Sequence, residues 1–294
     1  MKLSICVPIY NCDMGLLLSQ LRAQMDDVSA SVELLVIDDA SDAKFQTINN
    51  SYQHFTDYWE NSPVNLGRSK IRNRFLSVAK GEYLLFLDCD ALIDNPKFLN
   101  NYISSLISHP NKDVFYGSFK INSNYAGTLR NIYSVEREIP RKSNLESFEA
   151  LQTINFVIKK ACFEAIHFDE SLTQYGYEDF LFTKNLEKEG KSILIIDNPV
   201  IHNDTTENDI FLEKTKLGVA SLYKLSLLEE NRALLRSIKL YRAAELISKF
   251  KMAYLARIGY GLFKSKIVAN LRSKNPKMRY YDFYKLGELL KCMK

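Results

Sequence analysis

The chain has 294 residues, 46% of them hydrophobic, which excludes global disorder and allows one large α/β domain with an appendage, or two domains. Its longest uncharged apolar runs, such as residues 84–87 and 193–196, fall far short of the roughly 18 residues a membrane span needs. The net charge of +4 is uneven, with 19 Lys and Arg against 8 Asp and Glu in residues 205–294, and 20 against 27 in residues 1–204. An acidic body with a basic tail suggests an anionic surface as partner, either a membrane or a phosphorylated substrate; no nucleic-acid partner is expected.

Residues 3–8 and 33–37 read as short apolar strands, and residues 16–25 between them have helical spacing, so the chain opens as a βαβ unit. The apolar N-terminal stretch stops at Pro8 with no small-residue cleavage site after it, and reads as a core strand and not a leader. A second helix is expected over residues 67–79, then a strand over 83–87, a helix over 98–107 and a strand over 113–116. Residues 122–144 are polar and rich in Tyr, Arg and Lys, and read as an insertion with a short helix. Order returns with a strand at 155–158, a helix at 160–165, an acidic segment at 175–188 whose helix runs from 180 to 186, and a strand at 193–196. From Phe211 onward the pattern is helical. Five scattered cysteines without a CxxC pair indicate neither a zinc cluster nor a disulfide framework, and fit a reducing cytoplasm.

The most informative feature is Asp88-Cys89-Asp90, which closes the run Tyr83-Leu84-Leu85-Phe86-Leu87. A strand this apolar is buried on both faces, and carboxylates at its C-terminal end lie where open α/β sheets bind ligands. Four elements accompany it in order. Pro8-Ile9-Tyr10-Asn11 ends the first strand, Asp38-Asp39-Ala40-Ser41 ends the second, Asn65-Leu66-Gly67 opens a helix with Arg68, Lys70, Arg72 and Asn73, and Gly176-Tyr177-Glu178-Asp179 ends an irregular loop.

Taken together, these elements resemble the family 2 glycosyltransferases of the GT-A fold, over roughly residues 3–205. The resemblance implies a Rossmann-like, mainly parallel sheet flanked by helices. Its catalytic domain would span 1–205, with a nucleotide-binding half at 1–117 and an acceptor half at 118–205, before a helical extension at 206–294. It further implies transfer of a sugar from a nucleotide-diphosphate donor, UDP by family frequency, to a saccharide or lipid-linked acceptor in surface-glycan synthesis. The departing diphosphate builds negative charge that Mn²⁺ or Mg²⁺ can absorb, and both ions prefer oxygen ligands. By resemblance Asp90 is the direct metal ligand, Asp88 reaches the ribose or a metal-bound water, and His202, after the last strand, is a third ligand. Imidazole favours Mn²⁺ over Mg²⁺.

The same resemblance places Pro8 and Tyr10 beside the base, with Asn11 in the same loop and Asp39 accepting from the base's ring N–H. Gly67 and Arg72 approach the nucleotide. Asp38 has a structural role at its strand end, and Arg68 and Lys70 read as solvated. Acceptor activation needs a carboxylate base, and one base without a carboxylate nucleophile means a single displacement with inversion. Asp179 is the candidate base and Glu178 holds the acceptor or the loop; the reverse assignment is the alternative. Ala91 stands where the commoner family pattern has another carboxylate. No Gln-x-x-Arg-Trp signature of processive synthases is present, which suggests addition of one sugar. The basic, aromatic stretch around residues 253–267 suits a peripheral membrane contact at the cytoplasmic face, packing of a helical subdomain on the catalytic body, or a dimer interface. Nucleotidyltransferase and dinucleotide oxidoreductase readings fail for want of their Gly-rich loops.

Overall fold

The computed structural model describes residues 1–139, 145–172 and 175–293. The chain begins with β1 (Lys2–Ile9), α1 (Gly15–Met25) and β2 (Ser31–Asp38), and β1 pairs with β2 in parallel from Lys2 to Ile9. This is the βαβ opening expected from the apolar spacing. Within β1 the period-2 alternation sends Leu3, Ile5, Val7 and Ile9 to one core and Cys6 to the other, so the strand is buried on both faces.

Between residues 39 and 66, two elements escape the sequence pattern. They are α2 (Ala43–Asn50), which buries only Asn49, and β3 (Tyr58–Asn61), a short edge strand paired to β2. The helix expected over 67–79 is shorter than its pattern: α3 (Gly67–Arg74) gives way to a 3₁₀ turn at Phe75–Ser77. The amides of Val78 and Ala79 both bond to the Phe75 carbonyl, and this tightening turns Phe75 and Ala79 into the core. Gly81 follows, where a Cβ would lie 2.6 Å from the Ser4 amide nitrogen. Only glycine permits that approach of β4 (Tyr83–Leu87) to β1.

The chain continues through β5 (Ala91–Leu92), α4 (Phe98–Ser108), β6 (Val114–Tyr116), β7 (Phe119–Ile121), α5 (Leu129–Tyr133), β8 (Asn155–Lys159) and α6 (Lys160–Ala165). Next come α7 (Glu178–Lys188), β9 (Ile193–Ile195) and β10 (Val200–His202). The main sheet has the order β3-β2-β1-β4-β8-β6-β9. It is parallel except for β8, which runs antiparallel to both neighbours. Helices α1 and α4 cover one face through Leu17, Leu21, Phe98 and Tyr102. Phe75, Phe163, Phe168 and Phe182 cover the other, with the Phe168 and Phe182 rings stacked at 4.2 Å. The second sheet, β5-β10-β7, is small. Residues 140–144, part of the expected insertion, lie outside the described residues, and its short helix is α5.

By contacts the chain forms two compact units, Met1–Asn122 with Arg137–Thr173 and Glu178–Asp204, and Ser123–Glu136 with Gln174–Tyr177 and Thr205–Lys294. The second unit contains α8 (Asn208–Leu227), α9 (Glu229–Leu235), α10 (Lys239–Lys249), α11 (Ala253–Leu271) and α12 (Met278–Cys292). It has its own core, in which Leu129, Phe211, Leu271 and Tyr284 are buried and the Phe211 and Tyr281 rings stack at 5.5 Å. Among the described residues, no helix is long and apolar enough to cross a membrane.

Candidate active site

Strand β4 delivers Asp88 and Asp90 to its C-terminal rim, and the two carboxylates find different partners. Asp88 Oδ1 accepts from Arg72 Nη2 at 2.7 Å. Arg72 is 3% exposed, with its guanidinium 5.5 Å from the Phe168 ring centre. A desolvated guanidinium without its carboxylate would be an uncompensated charge, so this pair fixes the relation of α3 to the end of β4. Asp90 turns the other way: its Oδ2 lies 3.2 Å from His202 Nε2, and its Oδ1 is buried with no hydrogen-bond partner. Burial acts to raise the Asp90 pKa, but His202 first and Arg68 second outweigh it, so the carboxyl sits below its ordinary range.

His202 does not follow the last strand, as the sequence suggests, but forms part of it. Strand β10 sets His202 opposite Ala91 in antiparallel pairing with β5, and the Asn203 amide bonds to the Asp90 carbonyl. Three residues of strand carry too little periodicity to be read without their partners. The imidazole is packed edge-on against Phe119, and Asp204 Oδ2 is 3.9 Å from Nε2.

The second carboxylate pair opens α7. This helix begins at Glu178 and not at Phe180, so both acids occupy its first turn, where the helix dipole favours negative charge. Gly176 (φ +99°) and Tyr177 (φ +71°) hold left-handed backbone just before them; glycine takes it at no steric cost, and Tyr177 takes the strained conformation that clusters at functional sites. Glu178 Oε1 accepts from Arg68 Nη1 at 3.0 Å, while its Oε2 is buried without a hydrogen-bond partner. Burial pushes Glu178 up, but Arg68, reinforced by Arg72, brings it below its ordinary value. Asp179 responds in the opposite sense. Burial and the adjacent Glu178 charge push it up to about 6, against the pull of both arginines and of the Thr153 hydroxyl, which donates to Oδ1 at 2.8 Å. Two neighbouring carboxyls are thereby split in acidity, the pattern that separates a proton acceptor from a permanent anion.

Arg68 is exposed, as its place in a charged run implies, but its guanidinium also reaches inward to the buried Glu178 carboxylate. Arg68 and Arg72 are four apart on α3, which aligns them on one helix face, and that spacing was the signal available. Thr153 carries no signal in sequence, because its role exists only where the approach to β8 meets α7.

The expected nucleotide loops are also drawn together. The Asn11 side chain and the Asp42 amide and carboxylate bond reciprocally, and the Asn11 amide bonds to Ser41 Oγ at 2.9 Å. Asn11 (φ +50°) and Ala40 (φ +59°) both take left-handed backbone, joining the ends of β1 and β2. Pro8 is half-buried and Tyr10 is 53% exposed, presenting a free aromatic face. Asp38 Oδ1 accepts from the Ser41 amide, a structural role. Asp39 is only 4% exposed, and its two oxygens accept from the amides of Leu66 and Gly67, so it anchors the start of α3, where Gly67 needs φ +80°.

Among the described residues, no group of three His, Cys, Asp or Glu side chains is arranged around one cation position. Of the expected ligands Asp88, Asp90 and His202, the fold brings Asp90 and His202 together and commits Asp88 to Arg72. The unpaired, buried Asp90 Oδ1 beside an imidazole fits a divalent ion that accepts both oxygen and nitrogen.

A family model described as "Glycosyl transferase family 2" matches residues 4–166, more than half of the chain. An uncharacterized glycosyltransferase of Haemophilus influenzae is 34% identical over 103 residues, 32% of this chain and 38% of that protein. The aligned region thus spans well under half of that relative. The crystal structure of S. aureus TarS 1–349 is similar with a TM-score of 0.55 and 20% identity, covering 100% of this chain and 92% of that one. The mannosyltransferase PcManGT of Pyrobaculum calidifontis, solved with GDP-Man and Mn²⁺, gives 0.61 and 15%, covering 99% and 86%. At these identities the likeness is one of fold, and it agrees with the mainly parallel sheet and the ordered motifs. The chain belongs to glycosyl transferase family 2 and has the GT-A fold.

Proposed function

We propose that this chain is an inverting glycosyltransferase that moves one sugar from a UDP-sugar to a saccharide or lipid-linked acceptor in cell-surface glycan synthesis, at the cytoplasmic face. The observation that carries the reading is the split carboxyl pair at α7. Asp179, held near pKa 6, is ionised at neutral pH and still basic enough to take the acceptor hydroxyl's proton as that oxygen attacks the anomeric carbon. Glu178 stays anionic beside Arg68 and orients the acceptor. Arg68 and Arg72 lend positive charge to the side where the diphosphate departs, and Asp90 with His202 would hold a divalent cation. That ion, when bound, supplies electrostatic stabilisation of the leaving phosphate.

No second carboxylate is placed as a nucleophile in this scheme, so the product has inverted configuration. Tyr10 stacks on the base, and Asp39, already anchoring α3, accepts from it with a remaining lone pair. A uridine donor is supported by the TarS 1–349 structures with UDP and UDP-GlcNAc, and Mn²⁺ by the PcManGT complex. Thermal-shift screening of UDP-, GDP- and dTDP-sugars with Mn²⁺ tests the donor. NMR of the product formed from an α-linked donor tests the stereochemistry: a β-linkage is expected, and an α-linkage would overturn the mechanism.

A further inference from the structure

Helix α11 is apolar on two opposite sides. Tyr260, Ile267 and Leu271 are buried in the core of the helical unit. At about 100° per residue, the opposite side carries Leu255, Ile258 and Leu262, all exposed, with Leu262 at 75%. A surface helix ordinarily turns polar residues outward. The apolar surface runs on through the turn between α10 and α11, where Phe250 and Met252 are exposed, to Leu246 one helical turn earlier on α10.

The charge around this tip has one sign. Residues 239–266 contain seven Lys and Arg and one acid, Glu245, which is claimed by Arg236 at 2.7 Å. Lys249, Lys251 and Lys266 are exposed, and Lys266, one turn beyond Leu262, extends the apolar stripe with a cation. A symmetric contact with a second copy would set these cations against their own kind. Anionic headgroups would meet them with opposite charge while the apolar side chains enter the interface.

We infer that the tip of the α10–α11 hairpin docks on an anionic phospholipid bilayer, with Phe250, Met252, Leu255, Ile258 and Leu262 inserted and Lys249, Lys251 and Lys266 on the lipid phosphates. The inference rests on the hairpin alone and does not require the reaction proposed above. Full-length protein is sedimented with phosphatidylcholine vesicles, with and without phosphatidylglycerol, at low and raised salt. Binding is expected only to the phosphatidylglycerol vesicles and weaker at raised salt. The exposed-residue variant L255S/I258S/L262S should lose it with its melting temperature unchanged, and K249Q/K251Q/K266Q should weaken it by about fivefold per cation. Should the first variant fail to fold, the second carries the test.

No sedimentation of the wild type at low salt, equal binding to both vesicles, or undiminished binding by the folded variants would overturn the inference. So would a dimer, seen by light scattering, that L255S/I258S/L262S dissociates while the wild type ignores vesicles. A donor-binding measurement on the same variants separates this contact from the active site, since none of these residues belongs to it.

Discussion

Replacing Asp179 by Asn removes basicity while keeping shape, because the Asn Oδ1 can still accept from Thr153 Oγ1 at the 2.8 Å contact. General-base loss typically slows turnover by about 10²- to 10⁴-fold. The pH profile offers an independent readout: with Asp179 held at about 6, wild-type kcat/KM should fall as pH drops through 6, and the variant should lose that limb. Stability moves the other way. Because the folded pKa of about 6 lies above the ordinary 3.8, ionising Asp179 opposes folding. Its contribution is fully favourable below about pH 4 and is lost as pH rises through 6. A shift of that size corresponds to at most about 3 kcal/mol at pH 8, so Asp179→Asn should melt at the wild-type temperature or above it at pH 8. Steady-state transfer assays from pH 5 to 8, paired with calorimetric melting, check both parts. Near-normal turnover, or a retained limb near pH 6 in the variant, would refute Asp179 as base and leave Glu178.

Asp90→Ala should abolish Mn²⁺-dependent nucleoside diphosphate binding measured calorimetrically; retained metal-dependent affinity would remove Asp90 from the ligand set. Asp88→Ala leaves Arg72, 3% exposed, without its carboxylate, and should cost about 3–5 kcal/mol in denaturant unfolding. Arg68→Ala removes a charge that lowers both Glu178 and Asp179, so the acid limb of the rate profile should move to higher pH; an unmoved limb contradicts the pairing. Glu33 accepts from Ser4 Oγ and the Lys80 amide and pairs with Lys2, and against burial these hold its pKa below the ordinary value. Glu33→Ala should destabilise by about 2 kcal/mol at pH 7. In the wild type that contribution is present above the unfolded pKa and fades as pH falls through the folded one, so the gap between the two proteins should narrow in acid melts.

The strands that carry the site were legible because burial on both faces writes continuous apolar runs, as in β1, β2 and β4. The carboxylates at their ends were legible as candidates because the C-terminal rim of such strands is where open α/β sheets bind ligands. Asp88 and Asp90 were readable by type and place because they close such a run, Glu178 and Asp179 because they end an irregular loop before a helix, and in order with Pro8-x-Tyr-Asn they marked the family. Which partner each charge takes was not readable. Arg68 and Glu178 are 110 residues apart, and a sequence holds no distance between them, so Arg68 read as a surface cation, which it is, but without the buried partner it reaches. Strand β10 exists because β5 and β7 flank it, which is why His202 looked like a loop residue. The acidity of Asp179 comes from burial and from a neighbouring charge fixed by Arg68, and both are properties of packing. Local patterning, set by the 2.0 and 3.6 periods of the backbone, determines which elements form and which residue types reach their ends. Tertiary structure decided the pairings, because desolvation and Coulomb energies depend on distances that only the folded chain possesses.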